Sequence, residues 1–265
     1  MAGAAMRASA AEPRRSKSSD RVTTGVIGVM REELAVLESR TKVTRRHTVG
    51  RCRLVHGRLG DAPIILVRTG EGRDNAAEGT RVLLDRTSVE RLIVVGFSGG
   101  LSPALAPGSL VVSRQVLDGS TPAPSPDPAL VDELAGQDGA LAGTIVTSER
   151  LLWTSQSKAA VWSTIPQHSP AAVDLETAAI ASEASSRGVP YVAIRAVSDP
   201  AEESLPIDFN HYLDATGRID RLKVVGQAAR RPGLIAPLWR LRKRAALCSE
   251  RLADAVCRLV EGQSR

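Results

Sequence analysis

Two acidic residues near the middle of the chain could act together in catalysis. Residues 171–204 read AAVDLETAAIASEASSRGVPYVAIRAVSDPAEES, in which Glu176 lies at the start of an alanine-rich helix and Asp199 ends an apolar strand. A carboxyl group whose pKa is raised by partial burial can serve as a general acid, and Ser198 could orient the one beside it. Glu33, in MREE after the first strand, is a third acid in a similar place.

Each of these acids also has an ordinary structural explanation. Carboxylates near a helix N-terminus are stabilised by the helix dipole and by free N–H groups, so Asp174 could cap a helix over 175–186 that has Glu176 in its first turn. Asp199 could cap a turn, because Pro200 ends the strand. One acid alone does not distinguish these explanations, but three acids at three strand ends favour a site.

The segments that carry the acids predict an α/β fold. Apolar strands such as VTTGVIGV and RLIVVGFSGGL alternate with helices, which indicates a mostly parallel sheet covered on both faces. We therefore predict a three-layer αβα fold with a mostly parallel mixed central sheet. Ligands bind beyond the carboxyl ends of the strands in such sheets. The segments to search are residues 30–33, 69–75, 96–100, 147–152 and 197–204.

The positive charge of the chain is concentrated at its two ends. The formal net charge is +6 over 265 residues, with five Lys/Arg against two Asp/Glu in residues 1–22 and twelve against four in residues 218–265. Residues 23–217 hold the remaining eighteen Lys/Arg and twenty-three Asp/Glu. We predict a disordered basic tail (1–22), a globular domain (23–217) and a basic helical extension (218–265). A partner attracted by positive charge should meet the ends.

Composition excludes several other classes of protein. The three cysteines and four histidines show no metal-ligand spacing, so we expect neither a metal site nor a disulfide framework. The run TGEGRDN lacks the GK[ST] ending of a phosphate-binding P-loop, and we interpret it as a tight turn. No stretch of 18 apolar residues and no secretory signal is present, so we expect a cytoplasmic protein.

Several ordered blocks of the chain resemble the nucleoside phosphorylase superfamily. They are GVIGVMREELAVL, RLIVVGFSGGLSPALAPGSLVVSRQVLDG and VDLETAAIASEASSRGVPYVAIRAVSDPAEES, within residues 23–205. They look closest to the methylthioadenosine/S-adenosylhomocysteine nucleosidases. The C-terminal stretch DATGRIDRLKVVGQAARRPGLIAPLWRLRKR also resembles the hopanoid-associated phosphorylase branch, which acts on a lipid-linked nucleoside.

This resemblance implies a role for each acid. Asp199, supported by Ser198, would protonate the departing purine at N7, while Glu176 would hold the 2′- and 3′-hydroxyls of the ribose. Glu33 would bind and activate the water that attacks C1′. The resemblance implies no cofactor, and it implies a homo-oligomer. The other positions that it assigns to substrate binding are Leu175, Phe97, Ser98, Gly99, Leu151, Leu152 and Arg195.

The sequence departs from the family pattern in both pockets. Phe97 replaces a small hydroxyl residue after the first glycine of GFSGG. Leu151 replaces an aromatic residue that stacks on the base in the nucleosidase branch, with Trp153 nearby. These changes leave the adenine specificity open. They also leave open a catalytically silent member that only binds a nucleoside or a membrane.

The choice between water and phosphate as the nucleophile rests on three positions. Phosphorylases of the superfamily place an arginine two residues before the first glycine, where this chain has Val94. Water is therefore favoured. Arg31 and Arg73 could still contact phosphate, so phosphorolysis of a purine or hopanoid-linked nucleoside remains the alternative.

The C-terminal segment predicts a long amphipathic helix. From Leu238 onward, apolar residues recur at helical spacing with arginines on the other side. Such a helix could cover the domain or a second subunit. It could also contact an anionic membrane surface through residues 238–260. We do not expect nucleic acid as a partner, because the basic stretch has no aromatic platform.

Overall fold

The computed structural model describes residues 22–165, 169–212 and 220–262. The predicted basic tail, apart from Val22, lies outside these residues, as do His168 and the predicted boundary between residues 217 and 218. The structure therefore bears on the globular domain and on most of the C-terminal extension.

Ten strands and seven α-helices make up the described part of the chain. The strands are β1 (Thr24–Gly28), β2 (Lys42–Val49), β3 (Cys52–Leu59), β4 (Ala62–Arg68), β5 (Arg91–Gly100), β6 (Leu110–Asp118), β7 (Thr121–Pro122), β8 (Leu141–Thr147), β9 (Ala171–Asp174) and β10 (Tyr191–Asp199). The helices are α1 (Arg31–Arg40), α2 (Arg73–Arg86), α3 (Pro128–Leu134), α4 (Ser155–Trp162), α5 (Thr177–Ser186), α6 (Arg221–Arg230) and α7 (Ile235–Gly262).

The strands form one mixed sheet, part of which closes on itself. The order β2-β3-β4-β1-β5 leads to β5, which then pairs with both β9 and β10. Because β10 continues through β6 and β8 to β9, these strands and β5 form a closed ring. The mixed sheet was predicted and is confirmed. The ring was not predicted, and it brings the ends of β9 and β10 to the end of β5.

Helices cover both faces of the sheet, which confirms the predicted three-layer arrangement. Alternate residues of a strand point to opposite faces. Val26 and Ile93 accordingly pack in one core with residues of α1, α3 and α7, whereas Ile27 and Leu92 pack in another with residues of α2 and α5. Strands that are apolar on both faces are thereby buried on both sides, as their sequences indicated.

Two local features differ from the sequence-based expectation. Strand β2 was not predicted, because KVTRRHTV lies at the sheet edge with exposed or half-exposed side chains and shows no apolar alternation. Helix α5 begins at Thr177, so Glu176 occupies the N-cap position instead of the first turn. The carboxylate of Asp174 still accepts hydrogen bonds from the Thr177 N–H, at 3.3 and 3.4 Å, as a cap does.

Helix α7 divides into an exposed half and a buried half. Its inner side chains from Cys248 to Val260 lie in the core, whereas residues 235–247 are mostly exposed or half-buried. The predicted membrane contact through residues 238–260 is therefore wrong for 248–260, because the apolar side chains of that half cover the sheet. Part of the segment predicted as an extension, between Cys248 and Val260, thus contributes side chains to the core of the globular domain. Among the helices of the described ranges, none combines the length and the hydropathy that a membrane span requires.

Candidate active site

The carboxyl end of β5 brings the predicted catalytic segments together. Gly99 pairs with Asp199 of β10 and also with Val173 of β9. A Cβ atom on Gly99 would lie 3.2 Å from both the Asp199 Oδ2 and the Val173 Cγ1 atoms. The strand that carries Asp199 and the strand that leads into Glu176 therefore meet at one residue, and small residues at the end of β5 allow this approach.

Glu33 is a buried carboxylate held by three backbone N–H groups. Its Oε2 atom accepts from the N–H of Val29 at 2.8 Å and of Met30 at 2.9 Å, and its Oε1 atom accepts from the N–H of Phe97 at 3.0 Å. Burial raises the pKa of Glu33, while the nearby Arg195 charge and the three N–H groups oppose this. The side chain thus links the start of α1 to the end of β5 in a fixed orientation.

Glu176 is held by the glycine-rich turn before α2. Its Oε1 atom accepts a hydrogen bond from the Gly72 N–H at 3.0 Å. Gly72 has a φ of 97°, which glycine adopts without strain, and it is the N-cap of α2. Burial and the neighbouring Asp174 charge raise the pKa of Glu176 to about 7, against the opposing effects of Arg195 and the Gly72 N–H. The carboxyl group therefore titrates near neutral pH.

Arg195 supplies a buried positive charge between the two glutamates. Its Nη2 atom lies 2.5 Å from the Asp174 Oδ2 atom, and its guanidinium also donates to the Thr177 hydroxyl. A Cβ atom on Gly96 would lie only 1.6 Å from the Arg195 Nη1 atom and 3.1 Å from the Glu33 Oε1 atom. Glycine at position 96 therefore makes room for the guanidinium beside Glu33. The resemblance assigned Arg195 to substrate binding, but it did not identify the ion pair with Asp174.

Both oxygens of the Asp199 carboxyl group have protein partners. The Ser198 hydroxyl donates to Oδ1 at 2.6 Å, and the Lys158 ammonium donates to Oδ2. Burial raises the pKa of Asp199, and Lys158 and Ser198 oppose that rise. Sequence reasoning found Asp199 and Ser198 but missed Lys158, because a lone lysine in QSKAAVW resembles a solvated helix residue.

Phe97 and Ser98 lie on opposite sides of β5. The Phe97 ring packs partly buried against the core that contains α1 and α7. The Ser98 hydroxyl is buried and has no hydrogen-bond partner within the described part of the chain, while its backbone carbonyl oxygen lies 3.2 Å from the Ser198 hydroxyl. The hydrogen-bonding capacity of the Ser98 hydroxyl is therefore unused among the described residues.

The three predicted leucines lie in loops around this strand end. Leu151 is held through its backbone by Asn210, whose side chain accepts from the Leu151 N–H at 3.1 Å and donates to the Leu151 carbonyl oxygen at 3.0 Å. Leu152 packs against a small core cluster that includes Val173. Leu175 is half-buried next to Glu176. The loop before α4 is thus held by hydrogen bonds to Asn210 and by the packing of Leu152 on this cluster.

Comparison with known proteins identifies relatives of this chain. The phosphorylase superfamily profile matches residues 23–229. The 5′-methylthioadenosine/S-adenosylhomocysteine nucleosidase of Geobacillus kaustophilus is 33% identical over 215 residues, which cover 73% of this chain and 91% of the relative. The corresponding nucleosidase of a Marinomonas species is 30% identical over 222 residues, which cover 76% and 95%.

A solved structure extends the comparison to the fold. The structure of the nucleosidase from Neisseria meningitidis in complex with methylthio-immucillin-A superposes with a TM-score of 0.71 at 22% identity, over 91% of this chain and 99% of that one. The profile match over residues 23–229, together with the relatives that are 33% and 30% identical, shows that the chain belongs to the phosphorylase superfamily. The relatives that it resembles are the 5′-methylthioadenosine/S-adenosylhomocysteine nucleosidases, as the sequence motifs predicted.

The burial of Glu176 predicts a pH-dependent gain in stability when its charge is removed. A carboxyl group whose folded-state pKa is raised from 4.5 to about 7 stabilises the fold most below pH 4.5 and loses that contribution as the pH rises through 7. The glutamine of Glu176→Gln cannot ionise, so the variant does not lose this stability contribution as the pH rises. We expect the melting temperature of Glu176→Gln, relative to the unchanged protein, to be higher at pH 8 than at pH 5. Thermal unfolding at both pH values measures the difference.

The exposed Glu202 provides a matched control for this measurement. Glu202→Gln should change the melting temperature equally at both pH values. If Glu176→Gln gave the same difference at pH 5 and pH 8, burial would not raise the pKa of the Glu176 carboxyl group in the folded protein.

Proposed function

We propose that the protein hydrolyses the N-glycosidic bond of an adenosine-type purine nucleoside. The observation that carries the proposal is the pair of buried carboxyl groups, Asp199 and Glu176, on segments that meet at the end of β5. The names of the relatives, which are nucleosidases acting on 5′-methylthioadenosine and S-adenosylhomocysteine, support it.

Asp199 has the properties of a proton donor in this reaction. A purine leaves readily only if a proton neutralises it, and burial raises the pKa of Asp199 so that the carboxyl group retains a proton more readily. The proton moves to N7 as the bond between C1′ and N9 breaks. The Ser198 hydroxyl, 2.6 Å from Oδ1, then stabilises the carboxylate that remains.

Glu176 and Glu33 suit the sugar and the water. An ionised Glu176 can accept hydrogen bonds from both the 2′- and 3′-hydroxyls, and its negative charge favours an oxocarbenium-like sugar. Glu33, fixed by three N–H groups, retains accepting capacity for the attacking water and can take up its proton. Arg195 limits the repulsion between the two carboxylates.

The environment of the candidate phosphate-binding residues favours water as the nucleophile. Val94 is a buried apolar residue. Arg73 makes a bidentate ion pair with Asp118, at 2.6 and 2.7 Å, and Arg31 is exposed at the start of α1. The arginines that the sequence left available for phosphate are thus engaged elsewhere or exposed. This arrangement favours hydrolysis over phosphorolysis.

Replacing the proton donor tests the proposed reaction. Asp199→Asn should lower kcat by about 10²–10⁴-fold, because the amide cannot deliver a proton to the base. Asp132, which is exposed and paired with Arg114, is the control, and Asp132→Asn should leave kcat unchanged. The assay uses a panel of adenosine derivatives with and without phosphate, followed by identification of the sugar product.

Each outcome of this assay bears on the proposal. A free sugar that forms at the same rate in both buffers is the expected product. A phosphate-dependent sugar 1-phosphate would identify a phosphorylase. Nucleoside binding with no turnover above the Asp199→Asn background would identify a catalytically silent binding protein.

We further propose that the exposed surface of residues 222–247 contacts an anionic membrane. This basic surface contains seven Lys/Arg and no Asp/Glu. Leu222 is 84% exposed and Trp239 is 55% exposed, and the Lys243 ammonium lies 3.6 Å from the centre of the Trp239 ring. Exposed apolar side chains among positive charges are typical of helices that lie on anionic lipid. Such contact would suit the lipid-linked nucleoside that the C-terminal resemblance implies.

Vesicle binding tests the role of the basic surface. The protein should sediment with vesicles of phosphatidylcholine and phosphatidylserine but not with phosphatidylcholine alone, and added salt should weaken the binding. The double variant Ile235→Ser/Trp239→Ser should lose binding, whereas Leu141→Ser, an exposed leucine on β8, should retain it. Failure of the unchanged protein to bind, together with a dimer that the double variant dissociates, would instead assign the surface to a second copy of the chain.

A further inference from the structure

Lys158 is a fully buried lysine that has no role in the reaction proposed above. It lies in α4 and is 0% exposed. Its Nζ atom donates to the Asp199 Oδ2 atom and, at 2.9 Å each, to the carbonyl oxygens of Pro200 and Glu203. An ammonium has three N–H donors, so this one is saturated by acceptors from the turn that begins at the end of β10. Burying a charge requires such partners.

The same turn is joined to the segment before α4 by backbone contacts. The Leu205 N–H donates to the Trp153 carbonyl oxygen at 2.7 Å, and the Ser155 N–H donates to the Ser204 hydroxyl at 3.0 Å. Lys158 therefore completes a set of contacts that hold the segment before α4 against the turn that follows Asp199. The carboxyl group itself is held on both sides, by Lys158 at Oδ2 and by Ser198 at Oδ1.

We propose, resting on the proposed function, that Lys158 is a positioning residue for Asp199: its ammonium holds Oδ2, leaves Oδ1 to carry and deliver the proton, and stabilises the carboxylate that remains. The Ser198 hydroxyl fits both states of this group. It can donate to the Ser98 carbonyl oxygen, 3.2 Å away, while Oδ1 carries the proton. It can donate to Oδ1, 2.6 Å away, after the proton has left.

Atoms and charges balance in this step. The O–H bond at Oδ1 breaks, and its proton forms an N–H bond on the base. The electron pair of the C1′–N bond goes to the base, which leaves as a neutral molecule. Asp199 becomes a carboxylate, and Lys158 keeps its three protons throughout, so it contributes charge and position without transferring a proton.

The charged and titratable groups around Asp199 determine the sign of the expected effect. Lys158 approaches from α4, Glu203 from the following turn, and the Cys248 thiol from α7. Arg244 of α7 pairs with the Glu203 carboxylate at 2.9 Å. The Lys158 charge lowers the pKa of Asp199 and the Glu203 charge raises it. Removing the ammonium should therefore raise the pKa of Asp199 further.

The first experiment measures kcat against pH for Lys158→Met, with Lys42→Met, an exposed lysine on β2, as the control. We expect Lys158→Met to lower kcat by roughly 10- to 100-fold, with little change in KM, because the acid is weaker and less well held. The alkaline limb of the profile, where Asp199 loses its proton, should move to higher pH. If kcat fell but the alkaline limb of the pH profile stayed at the same pH, Lys158 would have a structural role only and the proposal would be overturned.

The second experiment does not require Lys158→Met to fold or the protein to turn over substrate. In ¹⁵N-labelled protein, the buried Lys158 ammonium should give a protected Nζ signal whose chemical shift follows the titration of Asp199. Asp199→Asn should abolish that pH dependence. A lysine signal unchanged by pH and by Asp199→Asn would overturn the proposal. Absence of nucleosidase activity in the unchanged protein would contradict the proposed function separately, because this measurement does not depend on it.

Discussion

The site depends on the burial of several carboxyl groups at the end of one strand. Glu33, Glu176, Asp174 and Asp199 are all buried around the last residues of β5. Buried ions are costly unless they are paired and hydrogen-bonded, and like charges close together raise one another's pKa. Two buried cations and a set of backbone N–H groups provide the compensation. Their arrangement determines which carboxyl groups remain charged.

Each of the two buried cations, Arg195 and Lys158, is associated with a different group of acids. Arg195 pairs with Asp174 and lowers the pKa values of Glu33 and Glu176, which favours the charged forms that a cationic sugar requires. Asp199 is paired with Lys158, and burial outweighs that pairing in its pKa. Breaking a buried pair by removing one partner typically costs about 3–5 kcal/mol, so each cation also fixes the geometry of its acid. The same charges thus shape both the fold and the chemistry.

Helix α7 holds the segments that carry two of these acids. The Cys248 thiol donates to the Val197 carbonyl oxygen at 3.2 Å, two residues before Asp199. The Ser249 hydroxyl donates to the Glu32 carbonyl oxygen at 2.6 Å, next to Glu33. The buried half of a helix whose other half is exposed and basic therefore contacts both sides of the site. If the exposed half of α7 contacts a membrane surface, that contact is made by a helix whose other half packs beside the proton donor Asp199.

Local sequence patterns predicted the three layers, because apolar strands that alternate with helices are recognisable in the sequence. They also predicted the strand ends and the three acids Asp199, Glu33 and Glu176, because a polar residue that follows an apolar strand stands out. They did not predict contacts that depend on distant pairing. The closed ring follows from β9 and β10 both meeting Gly99, which no local pattern encodes. Lys158 was missed for the same reason, since its partners begin 41 residues further along the chain.

The second half of α7 shows a different limit of sequence reasoning. Its apolar face was recognised, but periodicity alone cannot say whether such a face meets a membrane, another subunit or the sheet. The structure shows that Leu252 and Val256 meet the core, whereas Trp239, on the preceding turns, does not.

A crystal structure with a non-hydrolysable adenosine analogue bound would show whether Asp199 and Glu176 act on the same nucleoside. We expect one molecule whose base nitrogen N7 lies within hydrogen-bond distance of the Asp199 carboxyl group while both ribose hydroxyls contact Glu176. An analogue bound in the cavity of about 460 Å³ lined by Val49, Thr69 and Arg81, out of contact with both acids, would contradict this expectation. So would an analogue that reaches only one of the two acids.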